Sequence, residues 1–117
     1  MRTIKFRGKR VDNGEWVYGY YTKASFGTGF SDAIVVFNGG STMPYKVDPT
    51  TIGQFTGLLD KHGKEIYEGD INQDGGILFW ENTEGAFLWE YLDVETMGME
   101  NESDWCIITG NIHDKTE

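Results

Sequence analysis

The segment Asp70-Ile71-Asn72-Gln73-Asp74-Gly75-Gly76-Ile77-Leu78-Phe79-Trp80-Glu81 carries residues of the right kind and spacing to hold a hard cation. It satisfies the calcium-loop template, with side-chain oxygens at the first, third and fifth positions, glycine at the sixth and glutamate at the twelfth. Asp70, Asn72, Asp74 and Glu81 are the candidate ligands. The template also needs a helix entering the loop. Gly63 and Gly69 interrupt a β-patterned stretch before Asp70, and residues 77–80 read as a strand, so the context contradicts the motif. The competing reading makes Asp74-Gly75-Gly76 a hairpin turn.

Other chemistry-bearing residues are sparse. His62 and His113 lie far apart in turn-like settings and read as surface side chains rather than zinc ligands. Cys106 is the single cysteine and lies in Trp105-Cys106-Ile107-Ile108, where a thiol serves as a small buried hydrophobe; no local base or cation is present to activate it. No local motif joins a Ser or Cys nucleophile to a base, and the carboxylates from Glu81 to Asp104 read as a solvated face. The glycines between Phe26 and Phe30 lack the Lys-Ser/Thr ending of a phosphate loop. The expectation is a non-enzyme with no catalytic, cofactor or metal site.

Charge is the second kind of chemistry. The chain holds 10 Lys and Arg against 19 Asp and Glu, for a net charge of -9, which excludes a protein whose whole surface binds nucleic acid. The imbalance is local. Residues 1–23 carry six basic and two acidic groups, whereas residues 60–117 carry three and fifteen. Opposed halves of this kind can be satisfied within one fold or between subunits of an assembly. Lys5, Arg7, Lys9 and Arg10 could alternatively form a phosphate-contacting strip, with Phe6, Trp16, Tyr18 and Tyr20 available for base stacking.

The elements that must position these groups read as short strands. Residues 4–11 and 15–22 flank Asp12-Asn13-Gly14, and an Asn-Gly pair between such runs is a strong hairpin signal because both turn residues tolerate positive φ. Trp16, Tyr18 and Tyr20 then fall on one face, as core or interface. Residues 33–37, Ala-Ile-Val-Val-Phe, suit a buried strand, and Pro44 and Pro49 discourage helix across the middle. Asp60–Lys64 and Glu68-Gly69-Asp70 read as sharp turns. Strand continues to about Tyr91, followed by an irregular acidic connection, and residues 105–109 form the last strand, with Gly110-Asn111 turning the chain toward its tail. The 117 residues suit one domain. No apolar run is long enough to span a bilayer and the N-terminus lacks the core of a secretory signal, so the expectation is a soluble protein of the cytoplasm.

The run TIGQFTGLLDKHGKEIYEGDI at residues 51–71, together with the opening IKFRGKR, the following GEWVYGY and the closing ITGNIHD, resembles the YopX family of phage and prophage proteins. The resemblance implies a small, largely β protein with an SH3-like barrel and a tendency to self-associate. It brings no established activity. Its shared positions, Gly57, Asp60, Gly63, Glu68, Gly69 and Asp70, read as a turn framework of glycines at strained φ and carboxylates that cap turns. This chain departs from the family's pattern at Asn72 and over residues 80–99.

The expected fold is therefore mainly β, a small SH3-like barrel of short antiparallel strands with an N-terminal β-hairpin. It forms one domain over residues 1–117, with a hairpin-and-strand region at 1–50 and the barrel region at 51–117, closed by the last strand. The expected function is that of a phage or prophage accessory protein acting through contacts with itself and with a host or phage protein. Nucleic-acid binding through Lys5, Arg7, Lys9 and Arg10 is the alternative, and calcium dependence through the Asp70–Glu81 loop the third reading.

Overall fold

Asp12-Asn13-Gly14 turns the chain between β1 (Phe6–Lys9) and β2 (Trp16–Ser25), which pair antiparallel with Lys9 opposite Trp16 and Arg7 opposite Tyr18. Gly14 takes φ 74°, and the Asn13 side chain accepts the N–H of Glu15 at 2.9 Å. The turn chemistry read from sequence is the one the chain uses. This computed structural model describes residues 4–27, 29–92 and 94–114, with Val94 and Glu95 in backbone only.

From β2 the chain continues through β3 (Phe30–Asn38) and β4 (Ser41–Lys46), each antiparallel to its predecessor. Ala33 and Ile34 of β3 are buried, as the β-branched run requires. Pro44 sits in β4, at the edge of the sheet, where a residue without an N–H costs no ladder bond. Gly19 is fixed by close approach, since a Cβ there would stand 2.0 Å from the Val35 carbonyl oxygen. Pro49 opens a 3-10 turn, Pro49–Thr51, rather than merely discouraging helix. Its fixed φ suits a first helical position, and the Asp48 side chain caps it by accepting the Thr50 N–H at 3.0 Å.

The chain divides into two compact units, residues 1–54 and 55–117. The strand β5 (Gly53–Leu59) contributes to both: Gly53 and Gln54 pair with β1, while Phe55 and Leu59 pair with β6 (Glu65–Tyr67). In the second unit follow β7 (Asp70–Asn72), β8 (Ile77–Glu81), β9 (Ala86–Tyr91), β10 (Val94–Gly98), the short helix α1 (Glu102–Trp105) and β11 (Ile108–Asn111). Five of these strands form an antiparallel sheet in the order β10-β9-β8-β7-β11. Its core gathers Ile66, Leu78, Trp89, Cys106 and Ile108, with Phe87, Tyr91, Met99 and Trp105 packed against them.

The mainly β, antiparallel fold and the N-terminal hairpin agree with expectation, but the strands do not close into a barrel. They form two antiparallel sheets: among the described strands β11 pairs with β7 alone and ends its sheet instead of sealing it. Two local expectations are also corrected. The acidic connection after Tyr91 returns as β10, because the chain folds back along β9: Val94 pairs with Tyr91 and, past an irregularity in register, Met97 and Gly98 pair with Trp89 and Leu88. The last strand starts at Ile108 and includes Gly110 and Asn111, because residues 102–105 make one helical turn in which the Cys106 N–H reaches the Glu102 carbonyl.

Candidate functional site

The basic residues of the first strand are the most charged candidates, and the fold commits them to internal contacts. Arg7 and Lys9 share one face of β1 by the period of two, and Trp16 stands directly across from Lys9. The Arg7 guanidinium carbon lies 4.5 Å from the centre of the Trp16 ring and the Lys9 ammonium 5.4 Å from it, within cation–π range. Arg7 is only 4% exposed. Arg10 lies 4.5 Å over the Tyr45 ring and grips Asp12 with two hydrogen bonds, at 3.0 and 2.6 Å. That hydrogen bonding holds the Asp12 carboxyl below, and the Arg10 guanidinium above, their ordinary ranges. Lys5 is half-buried just before the strand. Lys5, Arg7, Lys9 and Arg10 are thus adjacent, but a phosphate would have to displace Asp12 from Arg10 and expose Arg7.

The calcium-template residues lie along the β7–β8 hairpin, where the side chains of Asp70, Asn72 and Glu81 each bond groups of a different turn. β7 and β8 pair with Ile71 opposite Ile77, and Gly75 takes φ 83° in the turn between them. The Asn72 side-chain oxygen accepts the N–H groups of Asp74 and Gly76 at 2.9 and 3.0 Å, and its amide donates to the Tyr91 hydroxyl at 3.0 Å. A buried Asp70 oxygen accepts the Tyr67 N–H at 2.8 Å. Glu81 accepts the Thr83 hydroxyl at 2.7 Å, at the far end of β8. Among the described residues no three His, Cys, Asp or Glu side chains gather where an ion could sit. Calcium at about 1 mM, enough to load weak extracellular-type sites, is therefore expected to move the melting temperature by less than about 1 °C. A rise of several degrees would reinstate the loop as a cation site.

His62 is exposed in the Asp60–Lys64 turn, and His113 follows β11 with its N–H on the Asn111 side chain at 2.8 Å. Cys106 is fully buried, and burial, reinforced by the neighbouring carboxylates of Glu102, Asp60, Asp70 and Asp74, pushes its thiol up to about 12. That is the inert, space-filling thiol expected from its apolar run.

Three partly exposed aromatic side chains share one face of the first unit's sheet. Tyr20 lies opposite Val35 in the β2–β3 ladder, so Tyr18, Tyr20, Val35 and Phe37 fall on one face of the first unit's sheet. Tyr18, Tyr20 and Phe37 are 44%, 52% and 62% exposed, and the Tyr20 and Phe37 rings meet edge to face at 5.1 Å. Tyr18 and Tyr20 were visible in sequence as aromatics on one face; Phe37 was hidden inside a run that reads as wholly buried. Only Ala33 and Ile34 of its five residues are buried, and Phe37 at its end is exposed.

The profile of the YopX protein family matches residues 5–117. The chain belongs to the YopX family. A solved structure similar to this YopX chain is the crystal structure of protein EF1440 from Enterococcus faecalis, at 23% identity and a TM-score of 0.55 over 97% of this chain and 95% of that one. At that identity the likeness is one of fold. No curated protein matches the chain. Among the described residues of this YopX protein, no helix is long and apolar enough to cross a membrane.

Proposed function

We propose that this YopX-family chain is a non-enzymatic phage or prophage accessory protein that works through protein contacts in the bacterial cytoplasm and associates with copies of itself. The observation that carries this reading is the exposed face of Tyr18, Tyr20 and Phe37. Solvated aromatics clustered on a sheet are costly to leave in water and are enriched where proteins meet. Charge adds to it: residues 1–54 hold seven basic and four acidic groups, and residues 55–117 three and fifteen. A second copy offers each half its complement.

Light scattering on the eluting protein, at low and high salt, tests the reading. A discrete oligomer is expected, and Tyr20→Glu with Phe37→Glu should dissociate it while the protein stays folded. A monomer across the concentration range, or an oligomer indifferent to both substitutions, overturns the aromatic-face assignment. A monomer that holds nucleic acid until salt is raised would move Lys5, Arg7, Lys9 and Arg10 to the front.

A further inference from the structure

Within the second unit, Trp89 of β9 and Trp105 at the end of α1 meet edge to face, with centroids 6.1 Å apart and planes at 66°. Tyr91 stands two residues beyond Trp89 on the same face of β9. Each ring is held. Trp89 donates to the Glu102 carboxylate at 3.0 Å, Trp105 to the Glu100 carbonyl at 2.8 Å, and the Tyr91 hydroxyl accepts from Asn72 at 3.0 Å. Gly76 leaves room for Tyr91, since a Cβ there would lie 2.6 Å from the ring. Tyr91 and Trp105, backed by the buried Trp89, line with the carboxylates of Asp74, Glu100 and Asp104 an open cleft of about 540 Å³ that has no basic residue among the described residues of its wall.

Such a lining selects a cation. Aromatic faces attract positive charge, most strongly when water is displaced, and the carboxylates add to the same potential. Glu102 sharpens the case. It is 2% exposed, one of its oxygens accepts from Trp89 and from the Glu100 N–H, and the other has no hydrogen-bond partner among the described residues. Glu102 does not line the cleft itself; bonded to the Trp89 indole behind the wall, its carboxylate adds to the negative potential there. A planar guanidinium suits the site better than a compact ammonium, because it stacks on rings and bonds carboxylates edge-on. One wall is formed by Met97 and Gly98 of β10, the edge strand of the sheet, beside which an extended segment can lie.

We propose that this cleft is a docking site for an arginine side chain presented by an extended segment of a basic partner protein. The site is separate from the aromatic face of the first unit, and neither requires the other.

The test is an NMR titration of the isotope-labelled full chain that follows the Trp89 and Trp105 indole N–H signals. The probe is the blocked tripeptide acetyl-Thr-Arg-Thr-amide, with its glutamate counterpart and free guanidinium chloride as controls. Saturable shifts confined to the cleft are expected with the arginine peptide alone. Glu100→Gln with Asp104→Asn, both exposed side chains, should weaken binding by about tenfold, as should raising salt from about 50 to about 500 mM. The dispersion of the same spectra reports that the double variant is folded. No shift at about 5 mM peptide, equal shifts with the glutamate peptide, or affinity untouched by the double substitution would overturn the site. Equal affinity for guanidinium chloride would overturn the peptide as its source.

Discussion

Asp60→Asn is expected to destabilise the protein by about 2–4 kcal/mol, a large share of the stability of a small fold, although it barely changes the size of the side chain. Asp60 is 3% exposed and holds three backbone N–H groups. One oxygen accepts from His62 and Lys64, both at 2.9 Å, closing the turn between β5 and β6; the other accepts from Ile108 at 3.0 Å, 48 residues away at the start of β11. Asparagine can keep the first pair, but its amide then turns donors toward the Ile108 N–H. A buried donor facing another donor loses its bond and gains no water. Asp60→Ala removes all three and should cost about 3–5 kcal/mol.

The same carboxylate sets a pH dependence. Burial alone would raise its pKa, but the N–H groups of Ile108, Lys64 and His62, aided by the His62 charge, outweigh burial and hold it below the ordinary 3.8. A depressed folded value means that the stabilisation is complete above the unfolded pKa of about 3.9 and is lost as pH falls through the folded value. Urea unfolding of wild type and Asp60→Asn should therefore give curves well separated at neutral pH that converge in acid. Curves that differ by less than about 1 kcal/mol at neutral pH would show that the turn is held by other bonds.

Asp60 also shows what the sequence makes legible. Its place beside His62-Gly63-Lys64 reads locally as a turn-capping carboxylate, and Gly63, at φ 81°, confirms the turn. The bond to Ile108 is invisible there, because it depends on a sheet closing over 48 residues. The same division runs through the chain. Asn13-Gly14 and Asp74-Gly75-Gly76 announce their hairpins because turn conformation is a local property. In the β7–β8 hairpin the template oxygens of Asp70 and Asn72 accept backbone N–H groups, since the oxygens that suit a cation also suit such donors. Barrel closure was not local: it depends on whether β11 finds a second neighbour, and among the described strands it pairs only with β7. The cleft was still less legible. Trp89 and Tyr91 on β9 are separated in sequence from Trp105, at the end of α1, by β10 and the start of that helix, two elements that the acidic composition of residues 93–104 concealed. Glu102 is one acid among many in sequence, and only the indole of Trp89 marks it as buried.

Trp89 carries the second large effect. Trp89→Ala is expected to cost about 3–5 kcal/mol, the range for emptying a buried aromatic site, against about 1 kcal/mol for Trp80→Ala one strand away. The contrast follows from burial: Trp89 is 1% exposed at the centre of the second unit's core, whereas Trp80 is 41% exposed and packs edge to face on Phe87. Trp89→Phe separates the two parts of the loss. Phenylalanine fills much of the space but cannot donate to Glu102, whose oxygen would then keep only the Glu100 N–H. A buried carboxylate with one bond fewer should make that substitution cost about 1–3 kcal/mol beyond its lost volume. Combining it with Glu102→Gln recovers part of the loss if the indole bond is what stabilises the carboxylate, because a neutral amide costs less to bury. Strict additivity in denaturant melts would mean that the bond adds nothing to packing. Equal losses for Trp80→Ala and Trp89→Ala would mean that the second unit is not organised around Trp89.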